Sequence, residues 1–462
     1  MKQKGLKIVY VISSLLYLQT ALVYGQGGKS PFLKEAPSYN YFHHRNDYSY
    51  LKDSIVRKDW SDNLKKLAKG KLALGGDLRL AYESFKREGW SRQSGDIYNL
   101  NRISLFGDYR SKKFRFYLEL NHASQIGRPN GSRFIDDDYL SVFQSFIDYN
   151  FPFSKKNDIT FRFGRQALDF GTGLMVAVQG GPNNRRTHDG LSSIINIGKS
   201  ESTLFISRPV FFEEGFLDNN LLNDDELLWG TYTSLSLTKK SIFDFYYFGH
   251  YGDYPSLSGM SNQTRHSIGL RYNINTSHWN IDLETTYQFG NAKDANISGY
   301  QFGNIITYQF SNLPLRPILG HKFLYVSGDG DIADDRIGTF QAPFQKIFVG
   351  AGLPAGGNYI TFQPAVTLNL TDKLKVLTDY QFIFRANRNE AVYGPYRSLL
   401  FTAQETESTY IGNQLNMELH FLMNRHWSFF IKYAPFFNRE LLQNIGAVDG
   451  MQYFRMYSTF FF

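Results

Sequence analysis

No cysteine occurs in the 462-residue chain. That excludes a lipid-anchored N-terminal cysteine, a disulfide framework and thiolate metal sites. Long apolar runs are nearly as scarce. Beyond the N-terminal segment, no stretch approaches the ~20 apolar residues of a membrane-spanning helix. Helix-period patterns of useful length are also missing between the alternating segments described below, which argues against α/β folds. Nor is there room for a separate plug domain before the first strand, which argues against an energised receptor.

What is present starts with Lys2, Lys4 and Lys7 ahead of an apolar run from Ile8 to Tyr24 and a small-x-small site, Val23-Tyr24-Gly25. This is the layout of a signal peptide, residues 1–25, with a mature chain expected from Gln26. The run is short and interrupted by Ser13, Ser14, Gln19 and Thr20, which disfavours a permanent anchor. The chain holds 31 Tyr and 41 Phe, with 20% charged residues and a mean hydropathy of −0.35. Aromatic-rich and polar together is the composition of a transmembrane barrel, with lipid outside, water inside and aromatic girdles at both interfaces. The net charge of +8 falls near +5 once the three signal lysines leave, a mild excess that permits anionic partners.

Strict alternation supplies the fold class. In HWNIDLETTYQFG, Trp279, Ile281, Leu283, Thr285, Tyr287 and Phe289 oppose Asn280, Asp282, Glu284, Thr286 and Gln288. Period two with carboxylates against aromatics marks a strand between an apolar and a wet medium. KFRFYLELN and YIGNQLNMELHFLM repeat the pattern. From Leu72 onward there are about eighteen such segments, most of roughly the length a tilted membrane strand needs. The expected fold is all-β: a transmembrane antiparallel β-barrel of about 18 strands over residues 71–462, with long extracellular loops. Closure removes the exposed strand edges. In the last strand Phe454, Met456, Ser458, Phe460 and Phe462 share a face opposite Tyr453, Arg455, Tyr457 and Thr459. Phe462 is therefore expected to face lipid, and Phe460 and Phe462 to form a terminal signal for the barrel assembly machinery.

Residues 26–70 carry no sustained alternation and read as a solvated periplasmic lead-in, with a short helix around Asp59 to Leu67. Longer irregular segments are expected at 126–138, 171–187, 211–227, 251–262, 327–357 and 386–408; such loops fold over the outer mouth or into the lumen. Within 171–187, the apolar Leu174, Met175, Val176 and Val178 favour inward folding.

The stretch FRFGRQALDFGTGLMVAVQGGPNNRRTHDG, with its Arg-Gln strand end, glycine-broken loop and Arg-Arg-x-x-Asp-Gly, resembles the alginate-export family of outer-membrane barrels. LALGGDLRLAYESF, SGDGDIADDRIGTFQAPF and IGNQLNMELHFLMNRHWSFFIKYAPFF agree with it in order, so the resemblance spans roughly residues 70–462. It implies an outer-membrane channel of eighteen strands whose basic lumen passes a polyuronate outward, with membrane lipid and periplasmic export components as partners. A monomer without nucleic-acid partners or enzymatic activity is expected. A polyanion needs cations placed along its path, and the rigid arginine fork suits a carboxylate. Alternation turns Arg79, Arg115, Arg162, Arg271, Arg385 and Arg455 inward; Arg185 and Arg186 fall on the Gly-rich loop. Arg165 joins this set if the strand end bends, since it alternates with the opposite face. Asp77, Glu83, Glu119, Asp282, Glu284 and Glu418 face the lumen too, so a salt-bridge network bracing the barrel, a porin for neutral or anionic oligosaccharides, and a non-conducting structural barrel all stay open.

Other chemistry is weaker. His188, Asp189, Ser192 and Ser193 lie close in sequence, but Asp-Gly fits a turn entering a strand. His43-His44 reads as part of the solvated lead-in, and Gly28-Lys29-Ser30 lacks the first glycine of a phosphate loop. Asp329, Asp331, Asp334 and Asp335 on an outer loop offer a candidate Ca²⁺ site, against which stands a mobile acidic loop.

Overall fold

The computed structural model describes residues 34–90, 95–129, 131–219, 225–256, 259–293, 295–346, 356–402 and 406–462. The expected signal peptide and the Gly28-Lys29-Ser30 stretch lie outside them. Eighteen strands close into one antiparallel barrel. They are β1 (Leu72–Lys86), β2 (Asp96–Arg110), β3 (Phe114–Ile126), β4 (Asp138–Pro152), β5 (Asp158–Gln166) and β6 (His188–Ile197). Next come β7 (Ser200–Pro209), β8 (Leu227–Thr238), β9 (Ser241–Ser256), β10 (Gly259–Asn275), β11 (Trp279–Ala292) and β12 (Ala295–Gln309). The set ends with β13 (Ile318–Val326), β14 (Tyr359–Asn369), β15 (Leu374–Phe384), β16 (Tyr410–Leu422), β17 (Trp427–Asn438) and β18 (Gln452–Phe461).

Neighbours in sequence pair throughout, and β18 closes on β1, with Phe460 opposite Leu78 and Arg455 opposite Glu83. The Gly76 and Phe462 peptides exchange both hydrogen bonds at 3.0 Å, carrying the seam to its end. Period-two alternation places Phe114, Phe116 and Leu118 of β3 on the exposed side and Tyr117 and Glu119 in the interior, as a lipid-facing wall requires. At the end bearing the short turns, Trp427 meets Phe460 at 4.8 Å and Phe460 meets Phe462 at 6.1 Å. These rings form part of the interfacial girdle on the periplasmic side, where barrel turns are short.

Two expectations are corrected. The segment 251–262 is not an open loop, because β9 and β10 stay paired from Ser241↔Ile274 up to Ser256↔Gly259. And residues 34–70 are not a solvated tail. Asp59 and Asp62 form a capping box at the start of a 3₁₀ turn, Trp60–Lys65, satisfying the free N–H groups there. From this base the chain reaches into the barrel: His43 is 1% exposed and His44 is buried as well.

Candidate functional site

The lumen holds two inserts that meet inside it. The first comes from the periplasmic side. His43 Nε2 lies 2.8 Å from the Asp77 carboxylate, which also accepts from Arg102 at 2.9 Å. The His43 ring stacks on Phe106 at 4.9 Å. His44 Nδ1 contacts Gln144 Nε2 at 3.0 Å, and its carbonyl accepts from Arg115 at 2.7 Å. Burial, with Arg162, Arg45, Arg115 and His43 close by, pushes the His44 imidazole down to about 2, so it is neutral in place. Outside the mouth, Asp59 and Asp62 bind Arg425, and Asp59 also meets His426 at 2.9 Å. Burial opposes ionisation of Asp59, but hydrogen bonds from His426 and Ser61 and the Arg425 charge outweigh it and hold this carboxyl below its ordinary range. Lys65 donates to the carbonyls of Leu74 and Phe462, tying the insert to the seam.

The second insert is the loop between β5 and β6. Its apolar run folds inward, with Val176 fully buried and bridged to Phe344. Leu168, Leu174, Met175, Val176, Phe340 and Phe344 pack on wall residues Phe205, Tyr232, Tyr246 and Phe248 into one apolar cluster. This apolar cluster fills part of the extracellular half of the lumen, beside buried polar groups such as Arg265, Gln288 and Glu390. Downstream, Gly180–Asn183 crosses to the β1–β4 wall. Arg79 donates to Gly180 O at 3.0 Å, Pro182 O at 2.8 Å and Asn183 Oδ1 at 2.9 Å. Arg455 donates to Gly181 O at 2.6 Å, and Asn183 Nδ2 caps the carbonyls of Asn101, Ser124 and Asp136. The inserts touch at Tyr41, whose hydroxyl donates to Gly180 O at 3.0 Å and accepts from Arg102 at 3.0 Å. Burial would raise this phenol, but Arg102, Arg185 and Arg79 hold it below its ordinary value.

Four of the nine expected path arginines are seen in the lumen wall with a carboxylate partner. Arg115 pairs with Asp108 at 2.8 Å, Arg162 with Asp148 at 2.7 Å and Arg455 with Glu83 at 3.0 Å. Arg271 spans Asp244 and Asp282 at 2.6 and 2.5 Å. Arg185, from the inner loop, meets Glu119 at 2.7 Å and lies 3.7 Å from the Phe143 ring centroid. Arg186 stands over Phe344 at 4.9 Å, and buried Arg385 donates to Thr406 O. Arg79 is different: its hydrogen bonds go to carbonyl and amide oxygens, with no carboxylate in ion-pair range among the described residues.

Arg165 is a correction. No bend turns it inward; it shares a register row with exposed Ser145 and with Asp189, on the outer face of the wall, and binds Asp189 through both fork nitrogens at 2.8 Å. The same alternation separates His188, which is buried inside, from Asp189, so His188, Asp189 and Ser192 form no catalytic set; Ser192 donates to Gln166 instead. The outer-loop aspartates do not converge. Asp329 and Asp331 each accept from a backbone N–H two residues on, as Asp334 does from Arg336. Burial pushes the Asp329 carboxyl up to about 6. Among the described residues no three His, Cys, Asp or Glu side chains are grouped to hold a metal ion.

Against this geometry, the sequence model of the alginate-export family matches residues 71–454. The chain belongs to the alginate-export family. Solved structures share its fold at low identity. OccAB3 of Acinetobacter baumannii superposes with a TM-score of 0.58 at 9% identity, covering 84% of this chain and 99% of that one. OccK8 (OprE) of Pseudomonas aeruginosa gives 0.56 at 11% identity, covering 85% and 98%. No curated protein sequence matches the chain. Family and fold together identify an outer-membrane channel.

Sequence reasoning missed Tyr41, His43, His44 and Arg102 in this alginate-export-family lumen. Arg102 lies on the inward face of β2 with Tyr98, Leu100 and Phe106, all buried. That face also holds buried Asp96, Ser104 and Asp108, and the periplasmic insert packs on it through His43 on Phe106 and Tyr41 on Arg102. The signal available was large apolar residues interspersed among charged ones on the inward face, which a water-filled lumen alone would not need.

Proposed function

We propose that this channel carries an anionic saccharide of polyuronate type, and that the two inserts hold it closed in the conformation described. Arg79 is the observation that carries the reading. Its cation is satisfied by the neutral oxygens of Gly180, Pro182 and Asn183, which leave together if the loop withdraws. Arg102, Arg185 and Arg455 surround the same spot, against Asp77, Glu119 and Glu83. Withdrawal of Tyr41 and Gly180–Asn183, with Arg185 staying seated on Glu119, would leave four arginines facing three carboxylates beside the β18–β4 wall. An excess cation in a low-dielectric lumen selects for anions. Phe460 and Phe462, on the closing strand, fit a role in recognition by the assembly machinery, and export through such a pore requires a periplasmic component that delivers the polymer.

The apolar core favours one other reading, a barrel that stays shut. Planar-bilayer recordings separate them. Opening events blocked by oligouronates, with anion selectivity lost in Arg79→Gln/Arg455→Gln and at 1 M salt, where screening acts within about 3 Å, are the expected result. Equal block by neutral oligosaccharides would indicate a general porin, and absence of conductance a structural barrel.

A further inference from the structure

Charge is spread unevenly around the periplasmic rim. The whole chain sets 50 Lys and Arg against 42 Asp and Glu, yet four consecutive turns carry lysine and no carboxylate. Lys112 and Lys113 lie in the β2–β3 turn, Lys155 and Lys156 in the β4–β5 turn, Lys199 in the β6–β7 turn, and Lys239 and Lys240 in the β8–β9 turn. All are exposed, and among the described residues no ion pair or hydrogen bond engages these ammonium groups. The ladders fix where they start: the Lys113, Lys199 and Lys240 carbonyls accept from Asn150, Ser236 and Asn275 at 2.7, 3.0 and 2.7 Å. The carboxylates bordering the four turns alternate onto the inward side. Asp108 is held by Arg110 and Arg115, Asp148 by Arg162 and Asp244 by Arg271; Asp158 accepts from Asn150 and Asn196; Glu201 keeps step with buried Phe205. In the insert the exposed Glu35, Asp47 and Asp53 are outnumbered by exposed Lys34, Lys52, Lys58, Lys66, Lys69 and Lys71.

The outward neighbours of these lysines are apolar. Phe114, Phe153, Ile197 and Leu237 are 45, 48, 54 and 45% exposed, each within two residues of a lysine, roughly 7 Å at the ordinary strand rise. The other half of the rim is built differently. The β10–β11 turn has no lysine or arginine, Arg316 of the β12–β13 turn pairs with Asp372 at 2.5 Å, and Lys373 of the β14–β15 turn donates to Met423 O at 2.8 Å. Arg425, between β16 and β17, is taken up by Asp59 and Asp62. A lysine at the end of a lipid-facing row can lay its stem on the apolar surface and hold its ammonium among the head groups. A basic cluster there is drawn to an anionic leaflet over about a Debye length. We propose that the half-rim made by the β2–β3, β4–β5, β6–β7 and β8–β9 turns docks on anionic phospholipids of the inner leaflet. The lysine ammonium groups meet the head-group phosphates, and Phe114, Phe153, Ile197 and Leu237 meet the acyl boundary. Those apolar neighbours favour lipid over a soluble acidic partner, which would have no use for them. The surface lies outside the lumen, and stands whatever the channel transports.

The test reconstitutes the full-length protein in phosphatidylcholine and compares the motion-restricted fractions of spin-labelled phosphatidylglycerol and spin-labelled phosphatidylcholine. The wild type should prefer phosphatidylglycerol about threefold or more at low ionic strength and lose that preference at 1 M salt, where charge acts within about 3 Å. Lys112→Gln/Lys113→Gln/Lys239→Gln/Lys240→Gln should keep heat-modifiable folding and lose most of the preference. Arg316→Gln/Lys373→Gln, on the other half of the rim, should retain it. If the fourfold variant does not fold, the salt response of the wild type and either lysine pair substituted alone decide the question. Equal restriction of the two lipids by the wild type would overturn the docking surface, as would a preference that survives 1 M salt or the folded fourfold substitution. An equal loss in Arg316→Gln/Lys373→Gln would overturn its placement on one half of the rim. Capture of soluble polyglutamate without any lipid preference would assign the lysines to an acidic protein partner instead.

Discussion

The two closures of this lumen are built from different forces. The periplasmic insert is held by charge-assisted hydrogen bonds: His43 and Arg102 on Asp77, Asp59 and Asp62 on Arg425 and His426, Lys65 on backbone carbonyls. The extracellular insert is held at its outer part by apolar packing around Val176, Phe340 and Phe344, and only where it crosses to β1 by Arg79, Arg455 and Arg185. A polar closure is directional and responds to pH and charge; an apolar one is indifferent to both and yields to loss of shape or to an inserted charge. The wall between them, eighteen strands paired edge to edge, depends on neither. Perturbing one closure should therefore leave the barrel intact and reach the other closure only through the Tyr41–Gly180 and Arg45–Asp169 contacts.

The largest effect should come from Val176→Asp. A carboxylate placed at a fully buried apolar position is destabilised by on the order of 3–5 kcal/mol, enough to expel the loop. Conductance should rise in planar bilayers while heat-modifiable mobility is retained; a silent channel would show that the core does not hold the lumen shut. Asp77→Asn comes next. It leaves Arg102 and His43 without their anion inside the wall but keeps shape and one acceptor, at a cost of about 2–3 kcal/mol. Trypsin should then reach Arg45 from the periplasmic side, while the 171–187 loop stays protected in hydrogen exchange.

Acid offers a smaller and graded perturbation of the same closure. His44 has a folded pKa of about 2, against ~6.5 when free. The withdrawn segment therefore binds a proton that the inserted one does not, so insertion is fully favoured above ~6.5 and weakens as pH falls below it. The slope is ~1.4 kcal/mol per pH unit. Open probability should rise about tenfold per unit between pH 6.5 and 4.5 on the periplasmic side, and His44→Gln should flatten that dependence. Opening that follows pH equally in His44→Gln would assign the response elsewhere. The smallest equilibrium effect belongs to Phe462→Asp, which changes a terminal side chain and keeps the backbone carbonyl that accepts from Lys65. A carboxylate at the interfacial end of a lipid-facing strand costs no more than ~1 kcal/mol. Refolding in detergent should be nearly normal and both closures unchanged, whereas folded yield in cells should fall if the residue is read by the assembly machinery.

The wall and the extracellular insert were legible in the sequence, and the periplasmic insert was not. Segments such as Trp279–Phe289 advertise a boundary between lipid and water because every second residue must choose a medium. Tyr41, His43 and His44 carry no such signature. Their burial depends on Asp77, Arg102 and Gln144, residues distant in sequence that the closed barrel gathers at one level. The inward run Leu174–Val178 was readable because four apolar residues on a glycine-flanked loop have no use for solvent. The arginines were placed by alternation, yet their partners were not, since pairing depends on register between strands. Arg165 shows the limit: its face followed from period two, and only the assumed bend was at fault.

The docking points of the periplasmic insert carry one more consequence. His43 binds Asp77 on β1, Lys65 bridges Leu74 and Phe462, and Asp59 reaches His426 beside β17. These groups are brought together only by pairing of β18 with β1. The insert is thus a keystone in time as well as in place: it has nowhere to seat until the last strand finds the first. Shielding of residues 41–44 from protease should follow, and never precede, the appearance of the closed barrel, so that each sealed channel records its own completion.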